Sequence, residues 1–204
     1  YTMKDNDSEE LVSLNIVFSD FAGNPGDNVT STTNESAVRF DRTAPTLDNV
    51  TIASNNTLYT TMAKTGDNIT LSITSSEAIQ TPIVSIAGQA ATETGDNMTW
   101  SATYEMSDTD SDNVSVSLNI GFFDLAGNPG TAVTSTTDGS AVWFDNTDPE
   151  LSSVTIASNN TLYTTMAKTG DNITLSFTSS EAIQTPSVEI ASQTATVTGG
   201  DNIT

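Results

Sequence analysis

The chain has 204 residues, with 26 acids against five bases and a net charge of −21. That field repels DNA, RNA and anionic membranes and attracts cations. It contains no cysteine and no histidine, which excludes disulfides, thiolate chemistry, His-ligated zinc and a Ser-His-Asp triad.

Residues 1–45 begin with the acids Asp5, Asp7 and Glu9 and contain a turn signal, Asp20-Phe21-Ala22-Gly23-Asn24-Pro25-Gly26. From there on a period of two dominates. The pattern predicts strands near 48–53, 69–75, 82–87, 89–93, 98–105, 114–122 and 138–145. Ile69, Leu71 and Ile73 alternate with Thr70, Ser72 and Thr74. Met98, Trp100, Ala102 and Tyr104 form a second apolar series, and Val114, Val116, Leu118, Ile120 and Phe122 a third. Each reads as a strand packed on one face. Thr65-Gly66-Asp67-Asn68, Thr94-Gly95-Asp96-Asn97 and Gly127-Asn128-Pro129-Gly130 punctuate these runs, and no segment has helical spacing. Seven short strands in about 100 residues predict an all-β fold of tandem immunoglobulin-like antiparallel β-sandwiches. No apolar run approaches the ~20 residues of a membrane span.

The chain repeats itself. The segment beginning VTIASNNTLYTTMAKTGDNIT starts at Val50 and again at Val154, a period of 104 residues. Asp124-Leu125-Ala126-Gly127-Asn128-Pro129-Gly130 repeats the turn at Asp20 with the same offset. On this frame 46–149 is a complete repeat, 1–45 the C-terminal half of one and 150–204 the N-terminal half of another. Near-identical tandem domains suit length, valency or assembly better than catalysis, which needs one site. Eleven Asn-x-Ser/Thr sequons, from Asn6 to Asn202, fit a secreted surface protein.

Loop order on a seven-strand sandwich sorts the acids by pole. One pole collects Glu77, Asp96 and Asp124, facing Asp5, Asp7, Glu9 and Asp41 across a junction. The other carries Asp67, the acidic loop with Asp108, Asp110 and Asp112, and Asp145, facing Glu181 and Asp201. Crowded carboxylates repel unless cations intervene, and an oxygen-only donor set suits calcium. Asp108, Asp110 and Asp112 match the first ligand spacing of an EF-hand. However, Asn113 and Asn119 replace its glycine and bidentate glutamate, so the loop is not one. Asp20 and Asp124 have a second reading, as acceptors bracing their Gly-Asn-Pro-Gly turns. Trp143 lies opposite Val142 and Phe144 and is expected on the outer face, where a sugar could stack. Its counterpart Arg39 argues against a carbohydrate site.

Phe40-Asp41-Arg42-Thr43-Ala44-Pro45-Thr46-Leu47 and Phe144-Asp145-Asn146-Thr147-Asp148-Pro149-Glu150-Leu151 resemble the D-x-T-A-P linkers between bacterial Ig-like domains. Together with the Asp-x-Ala-Gly-Asn and Ser-Ser-Glu-Ala-Ile elements, they make the whole chain similar to tandem repeats of large prokaryotic adhesins, such as biofilm-associated proteins. Surface-layer proteins carry similar repeats. Asp148 departs from the usual alanine. The resemblance implies an extracellular location and Ca2+ at the seams, held by Asp41 and Asp145 in the linkers and by Asp20 and Asp124. The expected function is a non-catalytic, calcium-stiffened stalk. Its partners are neighbouring repeats or copies of itself, and any glycan or cell-surface target lies elsewhere in the protein. The alternative is a self-assembling subunit of a filament or surface layer, with half-domains completed by neighbouring subunits. An accessory module of a polysaccharide enzyme would need a row of exposed aromatics.

Overall fold

The computed structural model describes residues 1–199; Asp201 and the sequon at Asn202 lie outside the described residues. Among the described residues the chain is all-β. It divides into two compact units, Tyr1–Asn146 and Thr147–Thr204.

The first unit holds ten strands: β1 (Leu47–Ser54), β2 (Met62–Ala63), β3 (Asn68–Ser75), β4 (Ile83–Ile86), β5 (Gln89–Ala90), β6 (Thr92–Asp96), β7 (Thr99–Glu105), β8 (Val114–Ser115), β9 (Leu118–Gly121) and β10 (Trp143–Phe144). One sheet runs β1-β3-β7-β6; the others are β5-β4-β9 and β2-β10-β8. All pairings are antiparallel except β2 with β10. The apolar faces meet in one core, the arrangement of a β-sandwich. Ile69, Leu71 and Ile73 of β3, Trp100 and Ala102 of β7, and Ile86, Ile120 and Phe144 are all buried there. Burying each large aliphatic side chain contributes about 1.5–3 kcal/mol. Gly95 leaves room for its cross-strand partner Trp100; a Cβ there would meet the Trp100 backbone and ring.

Several expected strands are interrupted. The run 114–122 becomes β8 and β9 because the chain changes partners midway. β8 pairs with β10, Val116 N–H reaches Val142, and β9 pairs with β4. Val114, expected on the apolar face, is consequently exposed, as is Met98 at the β6–β7 turn. The expected strand 138–145 shortens to Trp143–Phe144 because hydroxyls replace a regular ladder ahead of it. Thr137 Oγ1 accepts the Val50 N–H at 2.9 Å, and Ser140 Oγ accepts that of Ile52 at 3.0 Å.

Ahead of β1, residues 1–45 contain only isolated bridges, Leu11 with Arg39, Ile16 with Val29 and Ser19 with Pro25. The second unit contains β11 (Leu151–Ser158) paired antiparallel with β12 (Ile173–Ser179), and a hairpin of β13 (Glu189–Ile190) and β14 (Gln193–Thr194).

Candidate metal centre

Three carboxylates meet where the 40–46 linker enters the sandwich. Asp41, Glu77 and Asp124 each place one oxygen within 4.8 Å of the others. Two ligands on opposite sides of a calcium ion at about 2.4 Å stand about 4.8 Å apart, so the cluster is of a size that one such ion could bridge. The donor set is oxygen only, which suits a hard cation. Asp41 and Glu77 are half-buried and Asp124 is fully buried.

The backbone explains why these three converge. Pro45 is buried, and Thr46 exchanges hydrogen bonds with Ser76, its N–H reaching Ser76 Oγ at 3.0 Å and its carbonyl accepting the Ser76 N–H at 2.9 Å. This pins the linker to the loop carrying Glu77. The same loop reaches the 123–130 turn: Gln80 N–H donates to Phe123 O at 2.9 Å and Gln80 Nε2 to Asp124 O at 2.7 Å. Asn128 closes the circle, its Nδ2 donating to the Asp41 carbonyl at 3.2 Å and to Asp124 Oδ2 at 2.6 Å. From the 1–45 side, Glu9 accepts from Arg42 Nε at 3.0 Å and from Thr43 Oγ1 at 2.8 Å. Glu9 is therefore engaged by the linker and stands outside the cluster, although its charge still adds to the repulsion at Glu77. The hydroxyl of Thr43, then the groups of Arg42, outweigh desolvation and hold its carboxyl below the ordinary value.

Asp124 serves its own turn as well. Its Oδ1 accepts the N–H groups of Gly127 at 2.6 Å and Asn128 at 2.7 Å. With the Asn128 amide on Oδ2, about one of its four lone-pair positions remains for another partner. Asp20, one period earlier, makes the equivalent Asx turn through Ala22 and Asn24 but is exposed. Asn24 above all holds its carboxyl below the ordinary value. The turn-bracing reading of both aspartates is thus realised. At Asp124 it coexists with the cluster.

Electrostatics mark Glu77. Burial first, then the charges of Asp41 and Asp124, push its carboxyl above its ordinary value of 4.5; Arg39 offsets part of this. A cation there would relieve that repulsion.

The remaining expected ligands are placed differently. Asp96 is exposed at the end of β6. It shares this end of the sandwich, because Ile79 N–H bonds Asn97 O at 2.9 Å, but it stands outside the cluster. Asp7 accepts from Tyr1 and Lys4 in its own turn. The acidic loop does not gather its carboxylates into a cluster of three. Asp110 is buried and folded inward, accepting from Tyr104 Oη at 3.1 Å and Ser107 N–H at 2.8 Å, while Asp108 stays exposed. Asp112 accepts from the N–H groups of Asn113 at 2.9 Å and Asn146 at 2.8 Å, tying the loop to the strand end after half-buried Asp145. The inward hydrogen bonds of Asp110 remove it as a ligand facing outward. Glu181, the counterpart of Glu77, is half-buried in the second unit. Sequence reasoning missed the bridging roles of Gln80 and Ser76. The repeated Ser-Ser-Glu-Ala-Ile-Gln segment was the available signal.

Comparison of the sequence with protein-family models and with characterised proteins finds no match.

Proposed function

We propose that this chain is a structural, non-catalytic repeat segment of an extracellular stalk, built from immunoglobulin-like repeats and stiffened by calcium at their seams. The observation that carries the reading is the convergence of Asp41, Glu77 and Asp124 within 4.8 Å at the entry of the linker. One of the three belongs to the linker and two to loops of the following repeat. An ion held by all three would fix the entry angle of the linker and cancel repulsion at that seam. In the sequence Asp145 and Glu181 repeat Asp41 and Glu77 at the offset of 104 residues. The net charge of −21 and the absence of cysteine and histidine agree with an extracellular, oxygen-ligand role. The test is small-angle scattering and thermal denaturation in millimolar calcium and after chelation. Calcium should raise the melting temperature and reduce inter-repeat flexibility. Identical profiles in both conditions would sink the calcium stalk.

A further inference from the structure

We propose that Asn97, in the turn between β6 and β7, is an acceptor site for an N-linked glycan. The site rests on the extracellular placement proposed above, because sugar donors of the class it requires act on exported chains, and it needs no calcium.

The complete repeat carries five Asn-x-Ser/Thr sequons, at Asn49, Asn55, Asn68, Asn97 and Asn113. Transfer needs the carboxamide, and the hydroxyl two residues on, to enter an enzyme together. The fold withholds three of the five. Asn49 and Asn68 lie within β1 and β3, and the residues that follow them, Val50 and Ile69, are fully buried. β3 is paired on both sides, so its sequon can enter an enzyme only after the sheet opens. Asn55 is exposed, but its Oδ1 accepts the Asn68 N–H at 2.8 Å and its own N–H donates to the Asn68 carbonyl at 3.0 Å. That exchange pins the Asn55 carboxamide to β3.

Asn97 is the opposite case. Asn97, Met98 and Thr99 are all exposed. The turn is fastened through the Asn97 main chain, whose carbonyl accepts the Ile79 N–H at 2.9 Å and Trp100 Nε1 at 3.2 Å. The Asn97 side-chain amide and the Thr99 hydroxyl make no hydrogen bond to the described residues. Asn97 has φ of 45°, a left-handed conformation that asparagine tolerates better than most residues. The turn therefore keeps its shape while the carboxamide stays free to rotate. Asn113 is intermediate. It is exposed together with Val114 and Ser115, but its Nδ2 donates to Asp112 Oδ2 at 3.2 Å, a charge-assisted bond that transfer would first break.

The co-reactant is a sugar joined through its anomeric carbon to a polyprenyl diphosphate. Asn97 Nδ2 forms a bond to that carbon as the carbon's bond to the diphosphate oxygen breaks. The diphosphate leaves with the electron pair, and the amide nitrogen gives up one proton to a base of the transferase. No oxidant or reductant is needed. The Ile79 contact places the turn at the end of the sandwich that also receives the linker. A glycan there would stand beside Met98, an apolar side chain left 42% exposed.

The experiment incubates the folded full chain with a purified oligosaccharyltransferase and a polyprenyl-diphosphate-linked oligosaccharide, and reads each sequon by peptide mass spectrometry. The same chain, denatured and cut with trypsin, is the unstructured control. No Lys or Arg lies between Lys64 and Lys168, so Asn68, Asn97 and Asn113 stay on one peptide. In the folded chain, transfer to Asn97 should be about tenfold or more faster than to Asn68, because β3 must open first. In the digest the two rates should converge. Thr99→Ala keeps Asn97 and removes only the hydroxyl, and it should abolish transfer to Asn97 in both forms. A folded chain left unmodified at Asn97 overturns the inference, as do equal rates at Asn97 and Asn68 in the folded chain. Neither result touches the calcium reading, which scattering and melting in calcium and in chelator decide on their own.

Discussion

Replacing Glu77 by Gln separates a calcium ligand from a merely tolerated buried acid, because the two roles give opposite signs. In chelator the Glu77 carboxylate is disfavoured, since burial and then Asp41 and Asp124 raise its pKa above 4.5. A raised carboxyl pKa means that the folded state binds more protons than the unfolded one above that value. Stability therefore falls as pH rises through the window from 4.5 upward, and the penalty persists at neutral pH. Glu77→Gln removes that penalty, so in chelator the variant should equal or exceed the wild type. Calcium reverses the order. Three carboxylates with no charged fourth ligand suit an affinity of extracellular class, about 10⁻⁴–10⁻³ M. At ~10 mM calcium, binding to the folded state alone stabilises by about 1.4–2.7 kcal/mol. This corresponds to about 4–8 °C in Tm per kcal/mol for a domain of about 100 residues. The variant should lose about 1 kcal/mol or more of that gain. Differential scanning calorimetry of both proteins, with calcium and with chelator, reads all four values. Equal calcium gains in the two proteins would refute the assignment of Glu77 as a ligand. A loss of stability in chelator would refute the electrostatic argument.

Asp67 gives the contrasting case. Burial pushes its carboxyl up, but the Lys64 N–H, the Asn56 amide and the Lys64 ammonium together outweigh burial and hold it below 3.8. A depressed carboxyl pKa stabilises the fold above 3.8, and that contribution disappears as pH falls through the folded value. Asp67→Ala should cost about 1–3 kcal/mol at neutral pH by urea denaturation followed through tryptophan fluorescence, and the gap should close in acid. Two glycines test the same ring contact in two settings. A Cβ at Gly130 would run into the buried Phe122 ring, so Gly130→Ala should cost about 1–3 kcal/mol in the same assay. Gly26 faces the Phe18 ring in the same way, but that ring is exposed and can swing aside, so Gly26→Ala should stay within about 0.5 kcal/mol of the wild type.

The sandwich was legible where alternation is strict and one face is dry. Ile69, Leu71 and Ile73, and Trp100 with Ala102, are buried as their spacing predicts. It was not legible where strands change partners. Nothing in the even alternation of 114–122 shows that Val114 belongs to one sheet and Leu118 to another. A two-residue parallel contact such as β2 carries no period at all. Thr137 and Ser140 looked like strand residues, yet they act through their hydroxyls. At the site, loop order places Asp41, Glu77 and Asp124 at one junction, and the structure brings these three together. Charge alone does not reveal direction. Asp110 is as acidic in sequence as Asp108, but Tyr104 and Ser107 turn it inward.

The two near-identical copies of the front half separate what is encoded locally from what is not. Asn56 and Asn160 cap the same turns at Leu58 and Leu162, and Lys64 with Asp67 repeats as Lys168 with Asp171. The copies share these contacts although only one has its back half in the same unit. The turns are therefore set by neighbours within a few residues, while β1 of the first unit also relies on groups far along the chain, as the cap of Ser140 Oγ on the Ile52 N–H illustrates. Changes at Glu77 or Asp41 should therefore alter calcium linkage and leave the packing of the core around Ile52 and Phe122 intact. Asp124 is the exception, because its turn also carries the Gly130–Phe122 contact. Its removal should disturb the seam and the core together, which makes it the poorest position from which to assign either role.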